Sequence, residues 1–306
     1  MPSPVLSYSR QLLTYHYPED HALTRAGGFN RKIAVVHARH TPRPTYIKKV
    51  FLPQDVRSGH AAREIDYLKH LRGSPSICKL IAYTLDPTTG YGAMVLKHYS
   101  HGSLEKLITL HKRVGISIPR GFIWKVFLAL AEALTWMRYG PDSHEGSWNF
   151  IIHRDIHPGN VFLGPLSATQ YPLVVLGDFG CSIDRPRYVR DWVSTSTRAA
   201  RASRWHRHYR TPETPYPRTK SDVYQVGLVI VSLCKLTCNP RAFDETYPAG
   251  RREELRLSGL LRRCLERDYD RRIDPRVLRD ELRREVRRMS GGEGGLLLAG
   301  PLDTLL

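Results

Sequence analysis

Long uncharged apolar runs are missing from this chain of 306 residues. The best candidate, Val226 to Leu233, falls far short of the ~18–20 residues that a membrane-crossing helix requires, so no membrane span is expected. Met1 to Arg10 lacks a basic stretch followed by an apolar one, and no secretory signal is expected there. Cysteine is scarce and odd in number: Cys78, Cys181, Cys234, Cys238 and Cys264 are scattered. That argues against a disulfide framework and for a reducing, intracellular setting, cytoplasmic or nuclear. Cys234 and Cys238 lie four apart on an expected helix. With no Cys/His pair at a companion spacing, they read as small core residues and not as metal ligands.

Acidic side chains are also in deficit, with 29 Asp and Glu against 47 Lys and Arg, for a net charge of +18. Such a surface suits nucleic acid, anionic membrane or acidic protein. The richest block, Arg251 to Arg288, is interleaved with Glu253, Glu254, Glu266, Asp268, Asp280, Glu281 and Glu285. Alternating signs of this kind mark a solvated helical face. No aromatic-basic platform or groove-reading motif accompanies the charge, so nucleic acid is not the expected partner.

What is present is periodicity of two kinds. Residues 1–24 show no clear period and read as an irregular extension. Ile33 to Val36 and Tyr46 to Phe51 alternate as strands, with the two prolines of 39–44 in the loop between them. Ser58 to Leu71 places Ile65, Leu68 and Leu71 on one face of an amphipathic helix. Leu80 to Leu85 and Ala93 to Leu96 add two strands across the turn-rich Asp86-Pro87-Thr88-Thr89-Gly90. Beyond Gly102 the pattern turns helical, with Pro119 to Arg138, Val223 to Cys234, Glu253 to Cys264 and Pro275 to Met289 as helices. A short hairpin, Val161 to Leu163 with Leu173 to Leu176, interrupts them. The expected fold is α+β and bilobal: a small, mostly antiparallel N-terminal lobe with one helix (25–97), a larger helical lobe (98–289) and a Gly-rich tail (290–306).

The densest chemical signal is His153-Arg154-Asp155-Ile156-His157-Pro158-Gly159-Asn160, followed by Asp178-Phe179-Gly180. One carboxylate to face an accepting hydroxyl, plus one amide and one carboxylate for a hard cation, are the oxygen donors that phosphoryl transfer needs. The pattern resembles H-R-D-x-x-x-x-N and D-F-G of the eukaryotic-type protein kinases. The resemblance runs from about residue 25 to residue 288. It implies that Asp155 orients or deprotonates the substrate hydroxyl and that Asn160 and Asp178 hold Mg²⁺ on ATP. Lys48 would take the strand-lysine role towards the α- and β-phosphates, with Glu64 as its ion-pair partner. Lys49 competes for that role, and strand alternation puts the two lysines on opposite faces, so only one can point at phosphate. Leu96 would close the back of the adenine pocket, and Lys97, His98 and Tyr99 would form the hinge. Gly28 and Ile33 would cover the nucleotide. His153 and Phe179 would pack in the interior. Thr211-Pro212-Glu213 resembles A-P-E, with Arg272 as the partner of Glu213. Ser221-Asp222-Val223-Tyr224-Gln225-Val226-Gly227 resembles S-D-V-W-S-x-G, and it implies that Asp222 bonds catalytic-loop amides.

Three positions depart from the family pattern. The glycine-rich loop is degenerate, with Gly28 alone matching when counted back from Lys48. Tyr46 falls at the adenine-roof position usually given to a small residue. His157 stands where Ser/Thr kinases carry lysine, in a D-I-H-P-G-N closer to small-molecule kinases; a γ-phosphate contact from it would depend on pH. Ser194 to Thr197 and Ser203, beside Arg198, Arg201 and Arg204, could be phosphorylated and pair with Arg154. The tyrosine-kinase form of the catalytic loop is absent. The implied activity is therefore transfer of the ATP γ-phosphate to Ser/Thr hydroxyls of protein substrates, with acidic sequences favoured around the target. Two other readings stay open: a pseudokinase serving as a nucleotide-binding or scaffold module, and a small-molecule phosphotransferase.

Overall fold

The computed structural model describes residues 30–37, 45–142, 147–165, 171–186, 206–214, 217–240 and 252–290. The N-terminal extension, Gly28, the serines and threonines of 194–203 and the tail from 291 on lie outside the described residues. The chain divides into two compact units. One comprises residues 1–73 with 78–98; the other comprises 74–77 with 99–306.

The first unit is a four-stranded antiparallel sheet with helices on it. Its strands are β1 (Asn30–His37), β2 (Thr45–Phe51), β3 (Leu80–Asp86) and β4 (Tyr91–Lys97), in the order β1-β2-β4-β3. The tight β3–β4 turn is held by Asp86, whose carboxylate accepts from the Thr88 and Thr89 amides, and Gly90 takes a φ of +74° there. The helix expected over 58–71 is α2 (His60–His70), and a short helix that the sequence pattern did not announce, α1 (Pro53–Arg57), precedes it. Gly59, at φ +72°, breaks them apart, a conformation that costs glycine little and other residues more. Helix α2 buries Ile65 and Leu68, with Leu71 buried just past its end, the face that the sequence pattern implied, and Ala61 adds to it.

The second unit is mostly helical, with α3 (Leu104–Val114), α4 (Arg120–Tyr139), α5 (Ser221–Lys235), α6 (Arg252–Cys264) and α7 (Pro275–Ser290). Ser103 caps α3, accepting the Lys106 amide at 3.4 Å. Helix α4 buries Phe122, Val126, Phe127, Leu130 and Leu134 and stops at Gly140. A Cβ at Gly140 would sit 2.6 Å from the Trp148 ring, so the close passage of that ring, together with a φ of +77°, requires glycine. Helix α5 is apolar nearly all round and forms the centre of the unit, as such helices do.

Two short antiparallel pairs flank residues 153–160 and 178–180: β6 (Val161–Leu163) with β7 (Val174–Leu176), and β5 (Ile151–Ile152) with β8 (Ile183–Asp184). The second pair has too few residues to leave a periodic trace in the sequence. The arginine-rich block is ion-paired across helices as well as solvated. Arg256 meets Glu285 at 2.8 Å, Arg263 meets Glu281, Arg283 meets Glu132 and Arg279 meets Asp142. Cys238 lies beyond the end of α5 at Lys235, so it does not share a helical face with Cys234. All five cysteines carry thiols and not disulfides.

Candidate active site

In the first unit, the ion pair to Glu64 is made by Lys49, a correction to the expectation for Lys48. Lys49 Nζ lies 2.6 Å from Glu64 Oε1, and the two residues are 4% and 2% exposed. The register explains why. Lys49 stands across from Ile33 on β1 and Met94 on β4, whereas Lys48 stands across from Ala34 and Val95, and neighbouring residues of a strand face opposite sides of the sheet. The face with Lys49 receives α2. Two residues away, Ile47 shares that face and is paired with Leu96, while Tyr46 lies on the Lys48 side. Ile47 therefore replaces Tyr46 as the residue preceding the lysine on its own face. The candidates Ile33 and Leu96 remain on the face that carries Lys49. Of the hinge residues, Lys97 donates its amide to the Lys79 carbonyl at 2.9 Å, and the His98 ring meets the Thr45 hydroxyl at 2.7 Å.

The second unit gathers the remaining candidates. Residues 153–160 run from β5 into a 3₁₀ turn, Pro158–Asn160, that leads into β6. The loop is held from below by α5. Asp222 accepts the His153 amide at 2.7 Å and the Arg154 amide at 2.9 Å. Burial pushes the Asp222 carboxyl up to about 7, against the pull of those two N–H groups. One turn later Gln225 accepts the Ile156 amide at 3.0 Å and donates to the carbonyls of Arg154 and Tyr209. Arg154 itself has a φ of +71°, a left-handed turn that this network holds in place.

Asp155 is set among fixed donors. Its Oδ1 accepts the His206 amide at 3.1 Å, and its carbonyl accepts from Asn160 Nδ2 at 2.9 Å. Burial raises the Asp155 carboxyl to about 6, with the charge of Asp178 adding to the rise. The Asn160 amide, oriented by that bond, offers its Oδ1 elsewhere. Gly177 donates its amide to the Asn160 carbonyl at 2.9 Å, so the segment that begins the D-F-G turn runs beside Asn160. Asp178 follows with a φ of +59° and is exposed at the start of the Phe179–Cys181 turn. Asn160 and Asp178, one amide and one carboxylate on adjoining segments, are donors of the hard-oxygen type that Mg²⁺ takes. His153 is fully buried, its ring 4.7 Å edge-on from Phe179 and bonded to the Gly177 carbonyl. Burial lowers it to about 4, so it stays neutral and structural.

His157 is also desolvated and lowered to about 3. Its Nδ1 accepts the Gly159 amide, and its ring lies 4.6 Å from that of His206. A Cβ at Gly159 would come within 2.8 Å of His157 Cε1, so the His157 ring, folded back over the turn, leaves little room for a side chain there.

Below the loop, Glu213 and Arg272 form a two-pronged pair at 2.6 and 3.2 Å, with Ser221 donating to the same carboxylate. Burial raises the Glu213 carboxyl, but the Arg272 and Ser221 hydrogen bonds outweigh it and hold the group below its usual value. Arg272, 1% exposed, spends its other donors on the carbonyls of Lys220 and Glu266.

The pattern of the protein kinase domain matches residues 27–279. The chain belongs to the protein kinase family. It is 28% identical over 195 residues to the G2-specific protein kinase fin1 of Schizosaccharomyces pombe, covering 58% of this chain and 24% of that protein. It is 29% identical over 220 residues to the serine/threonine-protein kinase PBL36 of Arabidopsis thaliana, covering 70% and 40%. With the G2-specific protein kinase nimA of Emericella nidulans it shares 26% over 163 residues, covering 46% and 21%. The chain thus spans less than half the length of each of these relatives.

Within this kinase domain, sequence reasoning missed two residues. Gln225 stood in a quoted motif without a role. Its signal was a polar side chain three residues after Asp222, on the same face of an otherwise apolar helix. His206 left no signal, because the bond it gives Asp155 comes from the backbone.

Proposed function

We propose that the chain is a catalytically active protein kinase that transfers the γ-phosphate of ATP to Ser or Thr hydroxyls of proteins, with Mg²⁺ as cofactor. The observation that carries this reading is the complete oxygen-donor set of the second unit: Asp155, Asn160 and Asp178 on backbone segments cross-linked to one another and to α5. The buried Lys49–Glu64 pair supplies the cation that phosphates need. Magnesium, when bound, offsets the phosphate charge in the loose transition state.

Asp155 accepts the proton of the attacking hydroxyl. The oxygen–phosphorus bond forms as the bond from the γ-phosphorus to the bridging oxygen breaks, and ADP leaves with that electron pair. Asn160 and Asp178 would hold Mg²⁺, and Lys49 would hold the phosphates. Serine and threonine are favoured as acceptors by the catalytic-loop sequence and by relatives named as serine/threonine kinases. The thiol state of all five cysteines fits an intracellular setting.

A radiolabelled ATP assay with Mg²⁺ tests the reading. Wild type labels itself or a generic protein substrate, and Asp178→Asn loses at least ~100-fold. Equal labelling by the two proteins would refute it. Nucleotide-induced thermal stabilisation without any transfer would favour a nucleotide-binding scaffold instead.

A further inference from the structure

His157 stands two residues after Asp155, and its ring is fixed in one orientation. Nδ1 accepts the Gly159 amide at 3.2 Å. A ring nitrogen that accepts carries a lone pair and no proton, so the neutral imidazole bears its single proton on Nε2. The His206 ring lies 4.6 Å from it and the Tyr209 ring 5.9 Å, and the turn over Gly159 is packed against its edge. These neighbours leave the ring little freedom to rotate.

The two oxygens of Asp155 have different surroundings. Oδ1 accepts the His206 amide at 3.1 Å. Oδ2 lies 3.9 Å from His157 Nε2, too far for a direct hydrogen bond. A hydroxyl oxygen about 2.7–2.9 Å from both atoms would fill that gap, with its two partners about 90° apart. Such an oxygen would give its proton to Oδ2 and accept from Nε2–H. Each of the two side chains keeps 16% of its surface exposed, so neither is sealed from a ligand.

We propose that His157 is a further substrate-binding residue of the transfer reaction: its Nε2–H donates to the oxygen of the acceptor hydroxyl and turns the hydroxyl proton towards Asp155 Oδ2. The inference rests on the kinase reading above. It assigns the ring to the incoming alcohol as a neutral donor, and not to the γ-phosphate as a charged substitute for lysine. Two hydrogen bonds set the direction of the alcohol, and its second lone pair is left to face phosphorus. Asp155 takes the hydroxyl proton as the oxygen–phosphorus bond forms. The ring keeps its own proton throughout.

Asparagine and glutamine separate the two contacts of the ring. Asparagine at position 157 places Oδ1 where Nδ1 stands, and an Asx turn retains the Gly159 amide, but nothing donates from the Nε2 position. Glutamine brings an amide N–H to the Nε2 position and gives up the Gly159 contact. Steady-state transfer to a serine peptide, measured for wild type, His157→Asn and His157→Gln alongside thermal melts, reads the difference.

His157→Asn should melt near wild type and lose kcat about tenfold or more, with KM for ATP within about twofold. His157→Gln should melt about 2–4 °C lower and still turn over about fivefold or more faster than His157→Asn. Independently of turnover, ¹⁵N-histidine NMR at neutral pH should find the His157 proton on Nε2. Transfer by His157→Asn equal to or above that of His157→Gln overturns the proposal and leaves the kinase reading standing, since the ring would then serve only the turn. A proton on Nδ1, or a charged ring, overturns it whatever the turnover. A wild type silent in the same assay marks failure of the kinase reading, and the proposal falls with it.

Discussion

Replacing Lys49 by alanine removes the charge partner that sits 2.6 Å from a carboxylate with 2% exposure. Breaking a buried pair from one side costs about 3–5 kcal/mol, because the remaining charge keeps its desolvation cost. Lys48→Ala, on the other face of β2, should cost under about 1 kcal/mol. A third variant, Lys49→Met with Glu64→Leu, removes both charges while retaining volume and should recover most of the loss. Urea unfolding followed by circular dichroism reads all three, with a coupling of up to ~3 kcal/mol between positions 49 and 64. Phosphate transfer should fall at least ~100-fold in Lys49→Ala and in the double variant, and by much less in Lys48→Ala. The rescue of stability without rescue of activity distinguishes a phosphate-holding lysine from a structural one. If Lys48→Ala is the costlier change in both measurements, the register argument fails.

Asp155→Asn should abolish transfer yet raise the melting temperature at neutral pH. The folded carboxyl titrates near 6, above the ordinary aspartate value of about 4, so the charged form costs the folded state up to ~3 kcal/mol above pH 6. The gain should vanish below about pH 4, where aspartate is protonated folded and unfolded alike, and wild-type turnover should fall as pH drops through 6; a melting gain that persists at pH 3.5 would contradict this. Arg272→Ala should destabilise by about 3–5 kcal/mol, and Arg272→Lys should recover only part, since an ammonium cannot reproduce the fork on Glu213 or reach two further carbonyls. Acid should weaken the wild type here: Glu213 is held below its usual value, so its contribution is present above about pH 4.5 and is lost as pH falls further, and a Glu213→Gln protein should show a flatter melting profile below that point. Gln225→Leu should cost about 2–3 kcal/mol, since the Ile156 amide would lose its acceptor in the interior; a near-neutral change in the melting curve would refute that role.

The helices and strands were legible wherever a face is buried. The stripes of α2 and α4 are burial patterns written directly into residue order, whereas β4 buries a run of four, Gly92 to Val95, and was legible from its apolar content alone. The segments with Asp155, Asn160 and Asp178 were legible for a different reason: they match the kinase-family motifs, in which phosphoryl transfer restricts the side chains to a few oxygen donors. Lys48 against Lys49 was not decided by order alone. Alternation separates the two faces of β2, but the choice between them is made by α2, which packs on one side and brings Glu64 to Lys49. The short helix α1, ahead of Gly59, was not legible, since five residues make little more than one turn and show no helical period. The β5–β8 pair was invisible because two residues cannot display a period.

Helix α5 gives the reaction geometry an unusual landlord. Three residues around Asp155 – His153, Arg154 and Ile156 – give their amides to two side chains, Asp222 and Gln225, set one turn apart on a single rod. Val229 and Ile230 are fully buried on that rod, so a methyl group gained or lost there would shift the anchor from which the Asp155 segment is hung. The size of aliphatic residues far from any ligand thereby bears on where that carboxylate stands.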